Sequence, residues 1–325
     1  MNKLLILGLA FVLCACKSSV STHDLKDIKA ITNSETVSIT ASQVKDIITV
    51  LASDKLLGRD TGSSGIDEAA TYIETQFLNL GLKPYFKTYR NHFNVEEKDA
   101  FNMVAYLKGT DEKLKDEVII LGAHYDHIGF GKPVENDSIA NGANDNAAGT
   151  SAVLSMANYF SKAKTNKRSL MFVLFSAEEK GLLGSKHLAK QLNDQNLNLY
   201  TMFNVEMIGV PVKNIDYKAF VSGHNISNMA DKLNTYTNDP KFIGFHEMTE
   251  THHLFKRSDN YPFYLEFNVP CQTISTSDDY IYYHHVDDEV DKLDYNHMAD
   301  IINIMIPAIE KMSQTPTKEI VLYEN

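Results

Sequence analysis

Basic side chains are in short supply: 31 lysines and arginines face 42 aspartates and glutamates in 325 residues, a formal charge of -11. A phosphate backbone requires a basic face, so this balance argues against nucleic acid as a partner. It suits a soluble enzyme, or a protein whose carboxylates hold cations. No internal repeat is present, and with 43% apolar residues nothing reads as disordered overall. The length fits one large domain or two small ones.

Cysteine is scarce too. Two of the three, Cys14 and Cys16, lie in the opening MNKLLILGLAFVLCAC, which has a basic residue at Lys3 and an apolar stretch from Leu4 to Leu13. That is the pattern of a secretory signal, too short to span a bilayer. Leu13-Cys14-Ala15-Cys16 resembles a bacterial lipobox, in which Cys16 becomes the lipidated first residue; an ordinary signal peptide cut nearby is the alternative. Under the lipobox reading Cys271 is the one thiol left, so no internal disulfide is expected. Cys271 stands in VPCQTIS and reads as a packed apolar thiol. The chain then divides into a signal over 1–16, a Ser/Thr-rich tether over 17–45, a body over 46–313 and a tail over 314–325. The expected location is the cell envelope, with the outer membrane preferred because Lys17 follows the cysteine.

Within the body, Ile66, Ala69, Ala70, Ile73, Phe77 and Leu80 recur at helical spacing, with Ser64 and Asp67 as a capping box and Gly81 as the stop. FNMVAYL, EVIILG, SLMFVLFS, YTMFNVE, KAFVSG and CQTIS read as strands. Helices are expected near Ala147 to Phe160, Gly181 to Gln191 and Tyr295 to Met312, the last kinked at Pro307. EVIIL and LMFVLF are apolar without alternation, as in strands covered on both faces. The expected fold is α/β, a three-layer sandwich around a mostly parallel central sheet.

In such sheets functional groups gather beyond the carboxyl ends of the strands. There the sequence places His124, Tyr125, Asp126 and His127 after EVIILG, Glu178 and Glu179 after the LMFVLF run, and Glu206 at the end of YTMFNVE. Asp145 lies in NGANDNAAG before a helix, and His284, His285, Asp287 and Asp288 follow CQTIS by a short loop. One such residue is ordinary, but five clusters at strand ends are not. Imidazole with carboxylate and no thiolate favours zinc, and the set is large enough for two ions sharing one carboxylate. A carboxylate outside that shell would serve as general base. Adjacent glutamates project differently, so one of Glu178 and Glu179 can hold metal while the other faces the water.

GAHYDH, NGANDNAAG, FSAEEKGLLGS, FNVEMIG and YYHHVDDEVDKLD, in that order, resemble the M28 class of zinc-dependent exopeptidases, which includes bacterial aminopeptidases. The resemblance covers roughly residues 47–312. It implies that His124, Asp145, Glu179, Glu206 and His284 hold zinc, with Asp145 bridging two ions, and that Glu178 is the general base. It further implies that Asp126 orients His124 through its other ring nitrogen. Two positions depart from the family pattern: Glu206 replaces an aspartate, and Tyr-His-His-Val replaces Tyr-His-Thr-Pro, which leaves His285 as an alternative to His284. His127 is expected beside the metal shell or solvated rather than as a ligand, Arg59 as an anchor for the turn before the first helix, and Arg257, Ser258 and Asp259 as pocket lining. No role is expected for His252 or His253.

The implied activity is aminopeptidase action on peptides at the envelope by metal-activated water. Two alternatives are a glutaminyl cyclase and a lipoprotein that binds peptide or metal without catalysis. Cyclases of this fold line their pocket with tryptophan, and this chain contains none.

Overall fold

The computed structural model describes residues 38–324. The signal, Cys16 and most of the tether lie outside the described residues. The described chain is a single compact unit. Its strands are β1 (Lys83–Pro84), β2 (Arg90–Val95), β3 (Lys98–Leu107), β4 (Val118–His124), β5 (Phe130–Val134), β6 (Asp137–Ile139), β7 (Ser169–Phe175), β8 (Leu199–Val205), β9 (Ala219–Val221), β10 (Ile243–Gly244) and β11 (Cys271–Ser275). Its helices are α1 (Ala41–Leu51), α2 (Ser64–Asn79), α3 (Gly149–Ala163), α4 (Leu183–Asp194), α5 (Met229–Thr237), α6 (Glu247–Thr251), α7 (Asn260–Phe267) and α8 (Tyr295–Gln314).

Nine strands form one sheet in the order β1-β3-β7-β4-β8-β11-β9-β10, with β2 paired to β3. The central four, β7, β4, β8 and β11, run parallel. The pairings β1/β3, β2/β3, β3/β7 and β11/β9 are antiparallel and the short edge pair β9/β10 is parallel, so the sheet is mixed around a parallel middle. The reason lies in the connections. β2 joins β3 through a tight turn and therefore pairs antiparallel, whereas the central strands are joined by segments that carry helices.

The unbroken apolar runs have the predicted cause. In β7, Leu170, Phe172 and Leu174 pack with α1, α2, α3, α5 and α8, while Met171, Val173 and Phe175 point the other way, onto Leu188, Ala189 and Leu192 of α4 and Phe263 of α7. Successive residues of a strand face opposite sides, so burial on both faces requires apolar residues throughout. The result is three layers.

Three boundaries differ from the sequence expectation. α1 begins at Ala41, inside the stretch read as tether, because Thr40 and Gln43 form a reciprocal capping box and Val44, Ile48 and Leu51 insert into the core. α2 is capped by Ser63, whose hydroxyl accepts from the Ile66 amide at 3.3 Å, rather than by Ser64. The described part of the tail, up to residue 324, packs on the body: Ile320 is buried, and its amide donates to the Tyr200 hydroxyl at 2.9 Å. α8 continues past Pro307 to Gln314. No helix among the described residues is long and apolar enough to cross a membrane.

Candidate metal centre

The carboxyl ends of the four parallel strands open on one side of the sheet, and the predicted polar residues meet there. β4 ends at His124, whose Nδ1 lies 3.2 Å from the Asp126 carbonyl oxygen. The Asp126 carboxylate is farther from that nitrogen, at 3.8 Å. It instead accepts from the backbone amides of Glu178 at 3.2 Å and Glu179 at 3.3 Å, and from the Thr61 hydroxyl at 3.3 Å. The expected orientation of His124 is therefore made by the Asp126 backbone. Its carboxylate holds the loop that presents both glutamates.

NGANDNAAG is built around one aspartate and two tethers. Asn144 accepts from the Gly209 amide at 2.8 Å and donates to Ser277 at 2.9 Å. Asn146 accepts from the Gly149 and Met207 amides at 2.9 and 3.1 Å and donates to the Val205 carbonyl at 3.0 Å. Both asparagines thus pin the loop to the end of β8, and Asp145 between them is turned toward the centre. From the other side Asp288 accepts from the amides of Asn144 and Asp145 at 2.8 and 3.0 Å. Gly142 has φ +57, and a Cβ there would meet the His127 ring at 2.5 Å, so only glycine fits.

Around Asp145 the donors converge. His124 Nε2 is 3.3 Å from Asp145 Oδ1, and His284 Nε2 is 3.4 Å from Asp145 Oδ2 and 3.0 Å from Glu179 Oε2. His127 Nδ1 lies 2.9 Å from Glu179 Oε1 and 3.8 Å from Asp145 Oδ2. One donor atom from each of His127, Asp145, Glu179 and His284 lies within 4.8 Å of all the others. His285 turns away and caps its own turn, accepting from the Asp287 amide at 3.1 Å. Glu206 is held through Oε2 by the Ser258 hydroxyl and faces the same cavity as Asp145 and Glu178.

The set fits a divalent metal. His124 Nε2, His284 Nε2 and Asp145 Oδ2 are buried without a hydrogen-bond partner. Unpartnered buried polar atoms are costly, and here they converge as nitrogen and oxygen donors. Without a cation the carboxylates are strained electrostatically. Burial, reinforced by Glu206, Asp259 and Glu179, pushes the Glu178 carboxyl well above the usual range, and burial raises Glu206 as well. Burial also lifts Asp126 to about 6 and Asp259 to about 7. Asp145 goes the other way: despite its burial, His124 and His284 hold it well below the usual range. His284 is raised to about 10, because Asp145 and Glu179 outweigh desolvation of its ring.

A cavity of about 270 Å³ adjoins the centre. Its floor is Asp145, Glu178 and Glu206, its apolar wall includes Phe220, Met248 and Leu254, and Arg257 and His252 line it as well. Asp259, expected in the lining, is fully buried and does not line it. Arg59 does more than anchor a turn. Its guanidinium is fully buried and donates to the carbonyls of Leu51, Tyr125, Asn141 and Gly142, joining the end of β4 to the Asp145 loop. The place of His127 among the converging donors and the tether made by Asp288 were not read from sequence, which set His127 apart from the ligands. Both stand inside quoted motifs, but nothing in the spacing tells a donor from a neighbour.

The profile of peptidase family M28 matches residues 102–309. A probable zinc metalloprotease of Pyrenophora tritici-repentis is 36% identical over 107 residues, 33% of this chain and 24% of that one. Leucine aminopeptidase 2 of Trichophyton rubrum is 28% identical over 183 residues, 56% of this chain and 34% of that one. The chain thus spans about a quarter to a third of the length of these relatives. Among solved structures, the zinc aminopeptidase BSAP of Bacillus subtilis superposes with a TM-score of 0.68 at 14% identity, covering 88% of this chain and 98% of that one. A glutaminyl cyclase of Porphyromonas gingivalis superposes with a TM-score of 0.64 at 14% identity, covering 84% and 98%. At these identities the superpositions establish the fold.

Proposed function

The chain belongs to peptidase family M28, and from that premise we propose that it is a zinc-dependent aminopeptidase removing N-terminal residues from peptides. The observation that carries this reading is the half-buried Glu178 carboxyl, which lines the cavity beside a group of unpartnered histidine and carboxylate donors. Two zinc ions are proposed. His124, Asp145 and Glu206 would hold one, and Asp145, Glu179 and His284 the other, with His127 as a further donor or as the partner that fixes Glu179. Bound zinc would supply Lewis acidity, easing deprotonation of water and polarising the scissile carbonyl.

This chain's own residues do the rest. Glu178, held by its backbone amide to Asp126, accepts a proton from the attacking water and returns it to the leaving amine. Asp126 and Asp288 fix the two loops so that the donors converge without rearrangement. The acidic floor suits a free α-ammonium group, and the apolar wall suits an apolar side chain beside it. Lipidation at Cys16 would tether this activity to the envelope, in keeping with the signal-like opening.

The test is hydrolysis of aminoacyl p-nitroanilides by the zinc-loaded protein beside Glu178→Gln. The wild type is expected to release nitroaniline in a chelator-sensitive way, and Glu178→Gln to be slower by about 10²- to 10⁴-fold, the range for a lost general base. Equal rates in the two proteins would remove Glu178 from the mechanism.

A further inference from the structure

The sequence contains four arginines. Three are committed within the fold. Arg59 donates to four carbonyls, Arg90 pairs with Glu74 and lies over the Phe101 ring, and Arg168 pairs with Glu117 and donates to the Thr315 carbonyl. Among the described residues the guanidinium of the fourth, Arg257, has no hydrogen bond or ion pair, and Arg257 lines the cavity at the metal centre. The same cavity carries Asp145, Glu178 and Glu206 on its floor.

The cavity thus offers acidic groups on its floor and, in its lining, a guanidinium with five free donors. A guanidinium matches a carboxylate through two parallel hydrogen bonds, a geometry that an ammonium group cannot reproduce. A short peptide with both termini free carries the complementary pair of charges.

We propose that Arg257 receives a carboxylate of the substrate and thereby selects short peptides with a free C terminus. This rests on the aminopeptidase reading of the same site. An acidic side chain would present the same chemistry, and the experiment separates the two sources.

The test is calorimetric binding to the zinc-loaded Glu178→Gln protein, with and without Arg257→Gln. The probes are Leu-Gly, its C-terminal amide, and the p-nitroanilides of leucine and glutamate. Arg257 is exposed and unpaired, so its replacement leaves no buried group without a partner, and circular dichroism checks the fold. Leu-Gly is expected to bind on the order of tenfold more tightly than its amide. Arg257→Gln should bring that ratio close to one, and Arg257→Lys should restore part of it. If Arg257→Gln instead lowers only the preference for the glutamyl over the leucyl anilide, the carboxylate comes from the side chain and the selection of short peptides is overturned. Ratios that do not respond to Arg257, or no binding of any probe, overturn the inference altogether. Hydrolysis of Leu-Gly by the wild-type protein is followed in parallel. If it is absent while the binding ratio responds, the aminopeptidase reading falls and the role of Arg257 stands.

Discussion

Asp259 shows how much negative charge the centre gathers. Its carboxylate is fully buried at the start of α7, and neither oxygen has a hydrogen-bond partner. Burial holds its pKa at about 7, against 3.8 for an exposed aspartate. The folded chain therefore binds this proton more tightly than the unfolded chain. The associated stability is complete below about pH 4 and is lost as pH rises through 7, by roughly 4 kcal/mol at about 1.4 kcal/mol per unit. For metal-free protein, the melting temperature should fall between pH 4 and 7 more steeply in the wild type than in Asp259→Asn. Parallel pH profiles would show that Asp259 is not the strained group. The adjacent glutamates divide in the same physical terms. Glu179 lies within reach of His127 and His284 and is held low by them despite its burial, while Glu178 has no such partners and is pushed up. One carboxylate is suited to hold a cation and the other to take a proton.

At the scale of elements, the motif FSAEEKGLLGS carries a glycine, Gly184, as its next-to-last residue for a packing reason. A Cβ on Gly184 would lie 2.1 Å from the Ser176 carbonyl oxygen and 2.4 Å from Asn102 Oδ1, so α4 can approach the end of β7 only without a side chain there. Gly184→Ala is expected to cost about 1–3 kcal/mol of stability and to displace the loop carrying Glu178 and Glu179. Urea unfolding measures the first effect and p-nitroanilide turnover the second; a variant as stable and as active as the wild type would refute the contact. The central strands and the helices beside them were legible because burial on both faces, or on one helical stripe, writes itself into residue pattern. β2 was not, since Arg90, Asn91, His92 and Asn94 give it a polar composition and it gains its place through cross-strand pairing with β3. α7 has little amphipathic pattern because apolar residues, Leu265 among them, also stand on its exposed side, and α1 was hidden by the weak pattern before it. Within the site, donor-bearing loops could be read from strand ends. The work of Asp126, Arg59 and Asp288 could not, because each acts on backbone groups that only folding brings near.

The whole molecule carries an excess of acid, and part of that excess is concentrated in one buried centre. A cation there would relieve it, so metal binding and folding should be linked. Removing metal with a chelator is expected to lower the melting temperature, and adding zinc back at about a hundred times its dissociation constant should restore about 2.7 kcal/mol. Identical melting with and without zinc would deny that the centre binds it. The same fold occurs in aminopeptidases and in a glutaminyl cyclase, so architecture alone does not choose the reaction.

The most direct measurement uses three peptides of one sequence, differing only at the N terminus, followed by mass spectrometry with zinc-loaded protein. One begins with leucine, one with acetyl-leucine and one with glutamine. The account predicts stepwise loss of residues from the N terminus of the leucyl peptide and no change in the acetylated one. Shortening from the C terminus, loss of ammonia alone from the glutaminyl peptide, or inert peptides throughout would contradict it, in favour of a carboxypeptidase, a cyclase or a non-catalytic binder respectively.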